Sequence, residues 1–150
     1  MTFLRDIPLL QVSVRDDAGF LDAARVLLAS RISAIAVLDG DDHVVGLFTD
    51  DDLLRGLFPA YLEELHHTAF LVNDNELVQA RAEFAAGQSV GRFISEPIAV
   101  EVDAGRGHLV ERFLHTPWGA VAVVENRRFL GMINQLDFTE RLMRHLELPP

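Results

Sequence analysis

Two short stretches of this chain carry residue types that suit a polar ligand. Gly46-Leu47-Phe48-Thr49-Asp50-Asp51-Asp52 reads Gly-apolar-x-Thr-x-x-Asp, and Gly131-Met132-Ile133-Asn134-Gln135-Leu136-Asp137 repeats the frame with Asn at the hydroxyl position. Each runs from an apolar, strand-like segment into a helical one. A helix N-terminus presents unpaired N–H groups and partial positive charge, which suit a phosphate. A carboxylate on the first turn accepts from two neighbouring hydroxyls, as a ribose diol offers, and a Thr hydroxyl adds a donor. A strand-to-helix corner of this kind supplies the groups a nucleoside needs. The same tetrad also fits a capping box, in which the hydroxyl accepts from the backbone three residues on, and a single copy is more often a cap than a site.

Other constellations carry less. Gly87-Gln88-Ser89-Val90-Gly91 has the spacing of a hydrolase nucleophile elbow. That elbow needs a strand before the serine, whereas a helix is expected here, with Gly87 and Ser89 as its stop and the next start. Asp39, Asp41, Asp42 and His43 suggest a metal, but the spacing is not that of an EF-hand and a solvated hairpin turn accounts for it better. His66 and His67 are adjacent on an expected helix and cannot face one ion. His108 and His115 share a helix face with Arg112 but stand about 10 Å apart, too far for one metal. The chain has no cysteine, which excludes disulfides, thiol catalysis and thiolate zinc sites. No catalytic residue and no metal site is expected.

The elements that position the two corners also come in duplicate. Asp17-Ala18-Gly19 recurs as Asp103-Ala104-Gly105, and the same displacement of 86 places Leu28 on Leu114, Ala34 on Ala120 and Val37 on Val123. One residue less in a turn changes the displacement to 85, which puts Gly46 on Gly131 and Asp52 on Asp137. Repeats of this kind decide the architecture before any local assignment. Each half reads as strand, helix, strand, strand, helix. In the first, Val12–Val14 is a strand, and Asp16-Asp17 start a helix with Phe20, Ala24, Leu27 and Leu28 on one face. Ile35–Leu38 and Val44–Phe48 form a hairpin across Asp39-Gly40-Asp41-Asp42, and Thr49 caps a helix through Leu53, Leu54 and Leu57 to Pro59. In the second, the order is strand Ile98–Val102, helix Arg106–His115, and a hairpin of Ala120–Val124 and Phe129–Ile133. A last helix from Asn134 carries Phe138, Leu142 and Leu146, and Pro149-Pro150 ends the chain.

The expected organisation is therefore repeat 1 over 1–60, a helical insertion over 61–88 and repeat 2 over 89–150. The insertion is too long for a structureless loop and contains a helix around Glu76–Ala86, read as packing on the outside or extending an interface. Ser89 would cap a short helix, Val90–Ile94. The faces at Leu53-Leu57 and Leu142-Leu146 are expected to be exposed and to favour self-association.

Composition narrows the partners. At 150 residues the chain can bury a real core, as one domain or two intertwined halves. The formal charge is −10, there is no lysine, and the arginines are scattered except for Arg127-Arg128. Nucleic acid and anionic lipid are poor partners for such a surface. No stretch approaches about 20 apolar residues, and the N-terminus lacks the pattern of a signal peptide, so a cytoplasmic protein is expected.

The duplicated unit with its Gly-apolar-x-Thr-x-x-Asp corner resembles a pair of cystathionine-β-synthase (CBS) domains, a Bateman module. VSVRDDAGFLDAARVLLASRISAIAVLDGDDHVVGLFTDDDLLRGL matches the family pattern throughout; IAVEVDAGRGHLVERFLHTPWGAVAVVENRRFLGMINQLDFTERLM matches it more loosely. The resemblance implies an α/β fold of two βαββα lobes packed through their sheets, and homodimers shaped as flat discs. It also implies an adenosine-containing ligand (AMP, ADP, ATP or S-adenosylmethionine) in the inter-repeat cleft. The implied role is regulatory and non-catalytic, directed at a protein this chain does not name; the alternative is a ligand-free scaffold acting through dimerisation. Carried over by position, Thr49 and Asp52 match the hydroxyl and ribose carboxylate, and Asn134 and Asp137 their second copy. Ile32, Ser33, Ala34, Ile35 and Ala36 match the base-lining segment, with Trp118, Gly119, Ala120 and Val121 as its counterpart. Val12, Ser13 and Val100 fall at the slot's edge.

The copies differ. Asn134 replaces Ser/Thr, and Pro117-Trp118 brings bulk to the second slot. Asp50 and Asp51 flank the first motif, where Gln135 and Leu136 stand in the second. Unit charges about 4 Å apart interact by about 4 kcal/mol at an effective dielectric near 20, before screening. The first pocket is expected to favour a weakly anionic or cationic adenosyl ligand, or to need Mg²⁺ for polyphosphate. At most one pocket is expected to be a strong nucleotide site.

Overall fold

The computed structural model describes residues 3–58 and 75–147, with side chains from Gln79 onward in the second span. Each repeat folds in the order expected. The first contains β1 (Ser13–Arg15), α1 (Phe20–Ser30), β2 (Ala34–Leu38), β3 (Val44–Thr49) and α2 (Asp50–Leu57). After α3 (Asn75–Ala86), the second contains β4 (Ala99–Glu101), α4 (Arg106–Leu114), β5 (Ala120–Glu125), β6 (Arg128–Asn134) and α5 (Gln135–His145). Two three-stranded sheets result, ordered β1-β2-β3 and β4-β5-β6. In each, the first pair is parallel and the hairpin pair antiparallel, and the registers coincide: Ser13 faces Ala36 as Ala99 faces Ala122, and Ala34 faces Thr49 as Ala120 faces Asn134.

The period of two along the central strands assigns each side chain to a layer. Ile35 and Val37 point into the first lobe, against Phe20, Leu27 and Phe48. Val121 and Val123 point into the second, against Leu109, Phe113 and Phe138. The alternate residues, Ala34 and Ala36 on β2 with Ala120 and Ala122 on β5, join Leu47 and Met132 in a third cluster between the lobes. Methyl side chains let the two sheets approach closely, so the seam is a packed interior in which all four alanines are fully buried.

Long-range chain crossings complete the lobes. The lead-in to repeat 1 packs on repeat 2: Leu4 and Ile7 are buried in the second core, and Leu10 exchanges both backbone bonds with Met132, each at 2.8 Å. Arg5 fastens this segment to Asp103 and Glu125, at 3.2 and 2.5 Å. The lead-in to repeat 2 packs on repeat 1 in the same way, with Val90 in the first core and Ser95 bonded both ways to Leu47, at 2.8 and 3.0 Å. The two motif glycines are explained by these crossings. A Cβ on Gly46 would lie 2.7 Å from the Ser95 carbonyl oxygen, and one on Gly131 would lie 2.5 Å from the Leu9 Cβ.

Several boundaries and faces differ from expectation. Asp16 and Asp17 form a turn before α1, which starts at Phe20 with Gly19 as its cap residue. The Asp16 amide continues the β1–β2 pairing by donating to the Leu38 carbonyl, and the Ala18 amide donates back to the Arg15 carbonyl, so the chain completes a strand end and a turn before α1 begins. Leu28 is 62% exposed, and Ala23 takes its place on the buried face. The first hairpin turns across Asp39-Gly40-Asp41-Asp42 as expected, with Asp42 in the left-handed region (φ 62). The segment after Ser89 is a single 3-10 turn, Val90–Arg92, without a side-chain cap: the Val90 and Gly91 amides donate instead to the Ala18 and Asp16 carbonyls of the first repeat. Leu53, Leu57 and Leu142 pack inward against their lobes, leaving Leu54 and Leu146 exposed. The insertion helix lies against the first lobe and contributes the fully buried Ala85 to its core. The rest of the insertion, with His66 and His67, and Pro149-Pro150 lie outside the described residues.

Candidate functional site

The two motif corners occupy equivalent places and have different chemistry. In both, the strand ends at the motif hydroxyl or amide position, and the next amide bonds back across the lobe: Asp50 to the Ser33 carbonyl at 3.0 Å, Gln135 to the Gly119 carbonyl at 2.8 Å. These bonds turn the chain sharply into α2 and α5.

At the first corner every polar group of the motif is engaged. Thr49 is fully buried, and its Oγ1 accepts from the Asp52 amide at 3.0 Å. Asp52 Oδ2 accepts from the Thr49 amide at 3.0 Å, completing a capping box. The same carboxylate, only 5% exposed, receives the Ser95 hydroxyl, which lies 2.8 Å from Oδ1 and 2.9 Å from Oδ2. Arg55 adds an ion pair at 3.7 Å. The Ser95 hydroxyl thus stands where a ligand hydroxyl would have to stand, and it arrives by the crossing that fixes Ser95 to Leu47. Asp50 and Asp51 are exposed alongside.

At the second corner the carboxylate is open. Asn134 Oδ1 accepts from the Leu136 amide at 2.7 Å and so caps α5, but it makes no reciprocal box. Asp137 is exposed and has neither a hydrogen-bond nor an ion-pair partner among the described residues. The reason lies in the crossing segment. Leu47 and Met132 are equivalent, and their bridge partners are Ser95 and Leu10. Leucine has no hydroxyl to offer, so the second carboxylate keeps its acceptor capacity. A cleft of about 280 Å³ opens beside it. Ile7, Pro8 and Leu10 form one wall; Asp137, Glu140, Arg141 and Arg144 of α5 form the other. Arg144 pairs with Glu140. Arg141 is half-buried and unpaired among the described residues.

The remaining expected site residues are distributed more widely. Ala34, Ile35, Ala36, Ala120 and Val121 are fully buried in the cores or the inter-sheet seam, and Val100 nearly so. Ser13 pairs with Ala36, and Val12 is half-buried where the first core meets the seam. Ile32 and Trp118 pack partly buried against the seam, Ser33 is exposed, and Gly119 holds a left-handed turn at φ 63. Trp118 does not line the cleft at Asp137. Asp39, Asp41 and His43 converge, with one possible ligand atom from each within 4.8 Å of the others. Asp39 Oδ1 is engaged by the Asp41 and His43 amides, at 2.8 and 3.1 Å, and these bonds hold its carboxyl below the usual carboxylate range. Asp39 thereby ties down the hairpin turn. Ser89 is exposed, preceded by a helix and its turn, without the strand an elbow requires.

Ser95, Leu10 and Arg141 escape a motif-based reading because none belongs to the tetrad. The signal that finds them is the repeat itself: the displacement of 85 that aligns Asp52 with Asp137 also aligns Ser95 with Leu10 and Gly56 with Arg141.

The sequence model of the CBS domain family matches residues 4–58 and again 90–144, so the chain belongs to that family and carries the domain twice. It is a tandem CBS pair, a module that is commonly regulatory. Among solved structures, it is similar to the CBS-pair protein CBSX2 of Arabidopsis thaliana, at 17% identity and TM-score 0.73, covering 99% of this chain and 98% of that one. It is also similar to a CBS domain-containing protein of unknown function from Kribbella flavida, at 20% identity and TM-score 0.71, covering 91% and 94%. A third is the CBS-domain protein ATU1752 of Agrobacterium tumefaciens, at 24% identity and TM-score 0.63, covering 93% and 89%. At these identities the likeness establishes the fold. No curated protein matches the sequence. Among the described residues, no helix is long and apolar enough to cross a membrane.

Proposed function

We propose that this CBS pair is a non-catalytic regulatory module that binds one adenosine-containing ligand, AMP, ADP, ATP or S-adenosylmethionine, in the cleft at the second corner. The observation that carries the reading is the contrast between the two carboxylates. Asp52 is buried and bonded within the protein, whereas Asp137 is open beside a cleft of about 280 Å³. Asp137 would accept from the ribose hydroxyls, and the apolar wall of Ile7, Pro8 and Leu10 would face the base. The first corner then acts as a structural lock. In this reading the ligand bridges the N-terminal lead-in and α5, and its occupancy is transmitted to a homodimer and through it to a regulated protein.

A thermal-shift series tests it. A ligand present at 100 times its dissociation constant stabilises by about 2.7 kcal/mol. At about 2–4 °C per kcal/mol, that is a rise of about 5–11 °C. One of AMP, ADP, ATP, S-adenosylmethionine or NAD should produce it, and Asp137→Ala should remove it. A scaffold that acts through dimerisation alone is the second reading. It is favoured by Leu28 and Leu114, equivalent positions that are 62% and 73% exposed, and it predicts no shift with any of these compounds.

A further inference from the structure

We infer, resting on the function just proposed, that the second cleft selects a phosphorylated ligand over adenosine and over the cationic S-adenosylmethionine, with Arg141 as the specificity-determining residue.

The wall formed by α5 is an ordered row of charge. Asp137, Arg141 and Arg144 lie along the helix at about 6 Å and then about 10 Å from the first, as four and seven residues at 1.5 Å each require. One turn of helix approximates the span from the ribose hydroxyls of a nucleotide to its 5′-phosphate. A ligand seated on Asp137 through its ribose therefore brings its phosphate to Arg141. Arg144, paired with Glu140 at the rim, is next in line for a second phosphate. The chain is acidic, with 23 carboxylate residues against 13 basic ones, yet no carboxylate is paired with Arg141 among the described residues. A half-buried guanidinium without a counter-ion is a favourable place for an anion and a poor one for a sulfonium. The first repeat has its cation, Arg55, one position earlier and paired with Asp52 at 3.7 Å, so the position of Arg141 is particular to the second corner. The equivalent of Arg141 in the first repeat is Gly56, where a Cβ would lie 2.6 Å from the Phe20 ring and no long side chain fits.

Titration calorimetry of the full chain, at low salt, with adenosine, AMP, ADP and S-adenosylmethionine separates the possibilities. AMP and ADP should bind at least about tenfold more tightly than adenosine, and S-adenosylmethionine no more tightly than adenosine. In Arg141→Gln the phosphate advantage should fall to within about twofold while adenosine affinity is kept, and Arg141→Lys should retain part of the advantage. Equal affinity for adenosine and AMP in the unaltered chain, or a phosphate advantage that survives Arg141→Gln, overturns the inference. If adenosine still binds in an Asp137-dependent manner in those cases, the proposed function stands without it. Binding of none of the four, nor of ATP titrated in the same way, overturns both.

Discussion

Replacing the motif aspartate should have opposite consequences in the two repeats. Asp52→Ala removes a 5% exposed carboxylate that holds the Thr49 amide at 3.0 Å and the Ser95 hydroxyl at 2.8 and 2.9 Å. Hydrogen bonds to a charged acceptor contribute about 1.5–3 kcal/mol each. The Thr49 amide, on a fully buried residue, loses its acceptor, whereas half-buried Ser95 can turn its hydroxyl to water. The Arg55 ion pair, with Arg55 56% exposed at its side chain, adds little. The expected loss is about 2–4 kcal/mol, or about 4–16 °C in Tm for a domain of this size. Ser95→Ala should cost about 1–2 kcal/mol, because the carboxylate keeps its other partners. The double variant should show a coupling of at least about 1 kcal/mol. Asp137→Ala removes an exposed, unpaired carboxylate and should lie within about 0.5 kcal/mol of the unaltered chain. Urea unfolding of the ligand-free protein, at one fixed protein concentration so that any self-association is held constant, reads all four quantities. Equal losses for Asp52→Ala and Asp137→Ala, or additivity of Asp52→Ala with Ser95→Ala, would refute the lock.

Four further outcomes follow from the packing and the turn chemistry. Gly46→Ala and Gly131→Ala should each destabilise by about 1–3 kcal/mol in urea unfolding, because the new Cβ meets the crossing segment at 2.6 and 2.5 Å. Gly107→Ala, in α4 with nothing within 4 Å, should instead stabilise by up to about 1 kcal/mol. Ala36→Leu should cost about 1–3 kcal/mol or more by forcing the sheets apart, and a cost below about 0.5 kcal/mol would mean the alanine seam is not tightly packed. Asp39 has a folded pKa below its unfolded value, because the Asp41 and His43 amides bond its ionised form. Its stabilisation is complete above the ordinary carboxylate range and is lost as pH falls through the depressed value. The stability difference between the unaltered chain and Asp39→Ala should therefore narrow between about pH 5 and pH 2, and a difference constant with pH would count against it.

The central strands and hairpins were legible because each carries its own local pattern. Ile35–Leu38 and Ala120–Val124 are short apolar runs with the right length, and the motif corners follow them at fixed spacing. Even the two chemical readings of Thr49-Asp50-Asp51-Asp52 were legible, and the structure contains the capping box that one of them describes. What local pattern could not supply is the exchange of lead-in segments between repeats. The Ser95 hydroxyl reaches Asp52 across 43 residues, and Leu10 reaches Met132 across the whole length of both repeats. Neither contact has a period, a turn signature or a charge pattern. The later start of α1 has a related cause: Asp16 continues the β1–β2 pairing through the Leu38 carbonyl, a partner in another strand that local helix-start chemistry does not reveal.

The alanine seam and the crossings together explain how one fold can hold a lock and an open corner. The seam depends on Ala34, Ala36, Ala120 and Ala122, which are alike in the two repeats, so the pseudo-twofold arrangement of the sheets is fixed without reference to the corners. The backbone bonds that bring each crossing segment to its corner are also alike, Ser95 to Leu47 and Leu10 to Met132. The side chain at that bridge position is then free to differ. With serine it closes the carboxylate within the protein; with leucine it leaves the carboxylate available and supplies an apolar wall. The same substitution therefore sets both the stability of one corner and the openness of the other. For that reason, introducing a hydroxyl by Leu10→Ser should weaken any ligand held at Asp137, by engaging the carboxylate and by removing part of the apolar wall, and titration calorimetry should show the loss; in urea unfolding of the empty protein the new hydrogen bond is offset by the lost packing of Leu10 on the seam, so no gain in stability is expected.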